Sequence, residues 1–422
     1  MIGVASLAML ANAAKSPAAV PAAERGVAAP GSGAGIAVVM GGAMRDDNHE
    51  VWQRIVDLAG GHGARFVVFT SASEQPAQSA AYIVANLQRH GAVAEFVPVA
   101  PLLAGSDYRL AARDPSLVAK VRAARGIYFG GGAQERHTLA LLDESGAPTP
   151  ILAAIWEVYR AGGVVAGSSA GAAIMSSTMF RDAPDVLAAL KHGLTEGKGQ
   201  EIDRGLGFVG ERVVVDQHFL KRGRLGRLLP LMVQKGYTLG VGVDENTAAV
   251  FQQGSLEVIG GSGVLIADLA AATQATLAPA LSLRNVRLSY LERGDHYDMQ
   301  RRKATPATGK TKDSGSPRAS SPAGSSPALE PFMPDVLGDT RIAHLMVALL
   351  DSGATQAIGL AFDPRASRQA DLGFEFRLRR GVDTAAYRSR VSDVPRYTVL
   401  NVELDVTPVR MAAPLYTPLA PR

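Results

Sequence analysis

The sequence predicts an α/β protein built on a mostly parallel sheet with helices on both faces. Short apolar runs of buried-strand length alternate with amphipathic, helix-length segments from Ile36 to Gly171. Several of those runs end in glycine turns, at Gly41-Gly42, Gly130-Gly131-Gly132 and Gly167. One of them, Gly167-Ser168-Ser169-Ala170-Gly171, fits Gly-x-Ser-x-Gly, a strand–turn–helix that lifts a serine hydroxyl above a sheet. Alternation of this kind favours parallel strands covered on both sides, with the chemistry at their carboxyl ends.

The elements follow in order. Ile36 to Met40 is a buried strand, Val51 to Leu58 has helical spacing, and Phe66 to Thr70 is the next strand. Ala77 to Arg89 is a helix ended by His90-Gly91, Glu95 to Val99 is strand, and Ile127 to Phe129 is strand. Thr138 to Leu142 and Ile151 to Arg160 are helices; Val164 to Ala166 is a strand, and Ala170 to Met179 begins a helix. Beyond about Arg181 the strands become short and closely spaced: Arg212 to Val215, Leu239 to Val243, Thr247 to Phe251, Leu256 to Ile259 and Val264 to Ala267. These read as the completion of the sheet plus added antiparallel hairpins, with Arg284 to Tyr290 as the last core strand.

Four regions result. Residues 1–35 form an Ala/Pro/Gly-rich leader whose Met1 to Ala14 stretch resembles the apolar part of a signal peptide but lacks a basic start. It reads either as an export signal, placing the protein in the periplasm or outside the cell, or as a disordered leader on a cytoplasmic one. Residues 36–302 are the core domain. Residues 303–330 are a Ser/Pro-rich linker, and residues 331–422 a C-terminal extension of unknown role. Within the extension, Asp335 to Leu350 reads as helix, and Phe374 to Leu378 and Tyr397 to Val406 as strands.

Composition narrows the function. The chain is 47% hydrophobic and 19% charged, with a net charge of +4 and no aromatic-plus-basic pattern, which argues against a nucleic-acid partner. The absence of cysteine removes disulfides, thiolate catalysis and cysteine-bound zinc. No run reaches the length of a membrane span. No His/Asp/Glu cluster has metal-ligand spacing, so a site without metal or cofactor is expected.

A serine nucleophile needs a base and an orienting carboxylate. Ser169 is the candidate nucleophile. His218 ends the apolar strand Val213-Val214-Val215 in Asp216-Gln217-His218-Phe219 and is either a core histidine or the base. Arg222, Arg224 and Arg227 follow, as a solvated helix face or as clamps for substrate carboxylates. Asp244 and Glu245, at the end of another strand, offer the third member. The order serine, histidine, acid differs from the serine, acid, histidine order of α/β-hydrolases. Gly130-Gly131-Gly132-Ala133-Gln134 lacks the spacing of a nucleotide loop, and can give an oxyanion hole its second N–H.

Together these four blocks resemble the cyanophycinases, in the serine peptidase family that also contains dipeptidase E. The similarity runs from about Gly35 to Arg302, and the Asp216-to-Leu228 block with its arginines is the specific part. The resemblance implies a class I glutamine amidotransferase-like core. It implies Ser169 as nucleophile, His218 as base, Glu245 as orienting carboxylate, and the N–H groups of Gly132 and Ala170 as the oxyanion hole. Gln134, Asp216, Gln217, Arg222, Arg224 and Arg227 match the substrate pocket. Two positions depart from the family's pattern: Ala133 replaces a usual aspartate, and Ser168 a common threonine.

The implied activity is a serine-type exopeptidase that releases β-aspartyl-arginine dipeptides from cyanophycin, an arginine-decorated poly-aspartate, in a homodimer. The alternatives are a dipeptidase E-like or isoaspartyl dipeptidase acting on short peptides, and a non-catalytic exported binding protein.

Overall fold

A computed structural model describes residues 18–19, 35–181, 185–197, 199–275, 279–313, 329–365, 369–389, 396–412 and 414–415. Most of the expected leader and residues 314–328 of the expected linker lie outside the described residues.

The strands Ile36–Met40 (β1), Arg65–Phe69 (β2), Val93–Phe96 (β3), Gly126–Phe129 (β4) and Val164–Ser168 (β5) run parallel in the order β1-β5-β4-β2-β3. Successive side chains go to opposite faces. Val38, Met40, Phe66, Val68 and Tyr128 pack with Trp52, Ile55, Ile83 and Leu87 from the helices His49–Leu58 and Pro76–Arg89. Ala37, Val39, Phe69, Ile127 and Phe129 pack the other way, with Val118, Val121, Ile151 and Ile155 from Pro115–Arg122 and Pro150–Arg160. Cutting one fully buried ring such as Phe129 back to alanine costs about 3–5 kcal/mol. Asn48, Asp114 and Thr149 cap three of these helices, and Pro115 and Pro150 open two of them.

The second half does not simply complete this sheet. Val213–Asp216 (β6) and Leu239–Val243 (β7) are a parallel pair in a separate sheet. From β7 the chain turns through Asp244-Glu245-Asn246 and enters the first sheet as Thr247–Gln252 (β8), antiparallel to β1. Ser255–Gly260 (β9) returns beside β8, while Gly263–Asp268 (β10) pairs with β7 and Leu283–Glu292 (β11) with β10. The two sheets meet at Gly41. It donates to Thr247 O at 3.0 Å and accepts from His218 N at 2.7 Å, beside the Phe219 N–H to Val243 O bond at 3.2 Å.

The C-terminal residues extend the second sheet. Arg396–Arg410 lies antiparallel to β11, followed outward by Leu372–Ser389 and Gln356–Ala361. The described part of the expected linker carries the short strands Lys303–Thr305 and Lys310–Lys312. Lys310 is buried there, its ammonium 2.9 Å from both oxygens of buried Asp295 and 2.8 Å from Thr398 Oγ1. A serine- and proline-rich composition did not disclose that one charge-matched anchor.

Two helices are shorter than periodicity suggests. The helix after Ser169 stops at Ala173, because the carbonyls of Ile174, Met175 and Ser177 accept from Leu206, Val209 and Gly205. Thr178–Phe180 is then a strand against Ile202–Arg204. The helix expected from Asp335 begins at Arg341. The residues before it are drawn to the loop after His218: Thr340 N–H donates to Leu220 O at 3.1 Å, and Asp339 pairs with Lys221. Gly223 lies so close to Leu337 that a β-carbon there would fall 1.8 Å from the Leu337 carbonyl oxygen.

Candidate active site

Ser169 stands at the break between β5 and the short helix Ala170–Ala173, with φ 54° and ψ −110°. For a non-glycine residue this conformation is sparsely populated and costs on the order of 1–3 kcal/mol, a strain characteristic of functional turns. It is tolerable because the neighbours lack side chains. A β-carbon on Gly167 would lie 2.1 Å from Gly171 O, and one on Gly171 would lie 2.3 Å from Phe129 O. Helix and strand can approach that closely only with glycine at both positions.

The serine hydroxyl is 2.9 Å from His218 Nε2, and His218 Nδ1 is 2.6 Å from Glu245 Oε1. Glu245 is an acceptor, so Nδ1 carries the proton and donates to it. Nε2 is then left with a lone pair that accepts from the Ser169 hydroxyl. The imidazole lies against Gly42, where a β-carbon would come within 2.4 Å of Cε1 and Nε2. Burial lowers the His218 pKa from its ordinary value near 6.5; the Glu245 bond opposes this, and Arg222 and Arg224 lower it further. The net lowering favours the neutral ring, the form able to take a proton.

Of the two adjacent acids, Glu245 faces the histidine and Asp244 does another task. Asp244 is buried, and its Oδ1 accepts from the Leu220 and Lys221 amides at 3.1 and 3.0 Å. Its Oδ2 accepts from Ser262 Oγ at 2.7 Å, so it braces the loop that carries His218.

The glycine turn after β4 lies beside the nucleophile. A β-carbon on Gly131 would be 3.3 Å from Ser169 Cβ and 3.8 Å from its Oγ. Gly132 follows with φ +135°, its α-carbon pressed against the Ala72 carbonyl. Ala170, as the first residue of its helix, has an amide with no intrahelical acceptor.

The six expected pocket residues fare differently. Asp216, 2% exposed, is spent on its own chain: Arg227 meets it through two bonds of 2.7 and 2.6 Å, and Arg224 Nη1 lies 3.4 Å away. Arg227 also covers the Phe180 ring at 4.1 Å, and Arg224 donates to Gln217 O at 2.6 Å. Burial beside Arg227 and Arg222 pushes the Arg224 pKa down to about 10, against the pull of Asp216. Asp216 thus binds the two arginines within its own chain. Gln134 Nε2 donates to the carbonyls of Phe180 and Arg181 at 2.7 and 2.8 Å. Gln217 is buried, with an Oε1 that has no hydrogen-bond partner among the described residues. Arg222 is exposed and has no ion-pair partner among the described residues.

Gly42, Phe180 and Asp244's bracing role are not legible in the sequence. The one signal was the Gly41-Gly42 pair at a strand end, which marks a close approach without saying to what. Among the described residues, no three His, Asp or Glu side chains gather to hold a metal, and no helix is long and apolar enough to cross a membrane.

The model of peptidase family S51 matches residues 37–259, which include Ser169, His218, Glu245 and the six expected pocket residues. A cyanophycinase from Nostoc sp. is 32% identical over 282 residues, covering 64% of this chain and 88% of its own. Another from Geminocystis herdmanii is 33% identical over 271 residues, covering 62% and 92%. Among solved structures, a peptidase from an acI-B1 actinobacterium is similar at 22% identity with a TM-score of 0.45, over 63% of this chain and 96% of that one. Matched over more than half its length, and carrying a serine on the elbow that such a peptidase requires, the chain belongs to peptidase family S51 and is a serine-type peptidase.

Proposed function

We propose that the protein is an exopeptidase that hydrolyses cyanophycin to β-aspartyl-arginine dipeptides, with Ser169, His218 and Glu245 as its catalytic residues. The observation that carries the reading is the unbroken line from Ser169 Oγ to His218 Nε2 and from His218 Nδ1 to Glu245. Ser169 Oγ attacks the aspartyl backbone carbonyl as its proton passes to His218 Nε2. The carbonyl oxygen becomes an oxyanion beside the amides of Gly132 and Ala170. His218 then protonates the departing amine, the C–N bond breaks, and an ester to Ser169 remains. Water attacks that ester with His218 again as base, and the acid and free serine are regenerated.

The pocket chemistry supports an arginine-bearing, carboxylate-bearing substrate. The Arg222 guanidinium is free for a carboxylate, and the unpartnered Gln217 Oε1 is an acceptor for a substrate N–H. Arg224 and Arg227, paired with Asp216, shape the pocket wall and leave it one net positive charge. The class I glutamine amidotransferase-like core and the homodimer belong to the same reading; light scattering of the purified protein checks the second.

The test is incubation of cyanophycin with wild-type protein and with Ser169→Ala, followed by mass spectrometry. Release of β-aspartyl-arginine by the wild type alone is expected. Intact polymer with both proteins, together with cleavage of isoaspartyl dipeptides, assigns the enzyme to short peptides instead. Equal release by both removes Ser169 from the mechanism.

A further inference from the structure

Behind the glycine turn lies a cleft of about 1020 Å³ that the catalytic residues do not line. That volume is at the top of the ~300–1,000 Å³ range of ligand clefts. Its walls come from the Tyr108–Ala111 helix and the residues after it, from Glu135–Leu141 with its following loop, and from Arg181, Gly199, Asp203 and Arg204.

Charges of both signs line it. Arg109, Arg113, Arg181 and Arg204 line it together with Glu135, Asp143, Glu144 and Asp203. Arg204 is committed to Gly146 O at 2.7 Å, and Arg113 is 4.0 Å from Asp143. The side chains of Arg109, Arg181, Glu135 and Glu144 have no ion-pair partner among the described residues. Opposite charges kept apart across one cleft suit a ligand that carries both signs itself, and suit a singly charged or apolar ligand poorly.

The cleft is tied to the catalytic turn through Gln134. Gln134, directly before Glu135, holds the Phe180 and Arg181 carbonyls, and Phe180 lies under Arg227. Gly131 lies against Ser169, and Glu135 is four residues after Gly131, so the α-carbons of Gly131 and Glu135 are within about 14 Å. A chain whose scissile bond lies at Ser169 reaches the cleft within a few backbone units.

We propose that this cleft is a second binding site, which holds the units of the polymer next to the one being cleaved. Its arginines take free carboxylates and its acids take guanidinium groups. The inference rests on the cyanophycin reading above, because only a repeating zwitterionic chain engages both places at once. Occupying two linked sites raises affinity for a long chain without changing the chemical step.

Initial rates of wild type and the Arg109→Ala/Arg113→Ala variant on polymer and on a two-unit fragment test it. The expected result is a KM for polymer raised roughly fivefold to tenfold, with kcat and the two-unit kcat/KM unchanged, as for two exposed charge contacts. Binding of polymer to Ser169→Ala protein carrying the same two changes weakens in parallel, with near-ultraviolet circular dichroism confirming an intact fold. Should the double variant fail to fold, Arg109→Glu alone is measured in the same way. Wild-type KM for polymer in the variant overturns the second site while leaving the cyanophycin reading intact. A wild type that cleaves only short peptides overturns that reading and the second site with it.

Discussion

Replacing Glu245 with glutamine keeps the size of the side chain and removes its charge. The carboxylate oxygen is 2.6 Å from His218 Nδ1. With the charges centred about 4 Å apart and an effective dielectric of about 20, the imidazolium formed in the reaction is stabilised by about 4 kcal/mol. That corresponds to a factor of about a thousand in rate. Glu245 is 27% exposed, and solvent screening brings the expected loss in kcat to about 10²–10³. KM changes little, since the charge develops only on the way to the transition state. The pH profile gives a second signature. Burial lowers the His218 pKa and the Glu245 bond partly restores it. In Glu245→Gln that support is weakened, so the acid limb of kcat/KM moves to lower pH while the plateau falls. Steady-state rates on cyanophycin across the acid and neutral range measure both. A variant with wild-type kcat, or with the acid limb moved upward, refutes the assignment of Glu245.

Asp216→Ala leaves Arg224 and Arg227 buried without their carboxylate and destabilises the fold by about 3–5 kcal/mol in denaturant unfolding. A variant of normal stability with a raised KM would instead make Asp216 a substrate contact. Burial alone would raise the Asp216 pKa, but Arg227 and Arg224 outweigh it and hold the group below the ordinary carboxylate value. Its contribution is therefore full above about pH 4 and is lost as the pH falls through the folded value, a decline that Asp216→Ala lacks. Gly42→Ala drives a methyl into the His218 ring at a backbone φ of +98°, and displacement of the base by about 1 Å lowers kcat about 10²-fold; a wild-type rate would show that the ring has room to yield. Deleting the residues after Asp313 uncovers Leu283, Val286 and Leu288 along β11, so the truncated chain is aggregation-prone and inactive, as solubility and rate assays check.

The nucleophile turn was legible because its geometry demands particular residues: two close backbone approaches require Gly167 and Gly171, and nothing else at those positions fits. His218 and Glu245 were legible by position, each just past the end of an apolar run. What could not be read was which sheet each run joins. A strand's alternation reports that it has two faces and says nothing about its neighbour, so β6 and β7 looked like further members of the first sheet. Buried ion pairing was hidden for the same reason. Asp216 and Arg227 are eleven positions apart, and only the turn of the chain between them puts the carboxylate against two guanidinium groups. The early end of the helix at Ala173 had no local cause; its carbonyls were claimed by residues some thirty positions later.

The division of the catalytic residues between two sheets also sets an order of events during synthesis. Ser169 is on a sheet whose five parallel strands are all made by Ser168. His218 and Glu245 end strands of a sheet whose outer members are Gln356–Ala361, Leu372–Ser389 and Arg396–Arg410, and the loop after His218 rests on Leu337 and Thr340. Domains mature from the amino end as the ribosome advances, and pairings between distant positions are the slow ones. The nucleophile turn thus needs only pairings made early in the chain, whereas the loop that carries the base also leans on Leu337 and Thr340, far downstream of it.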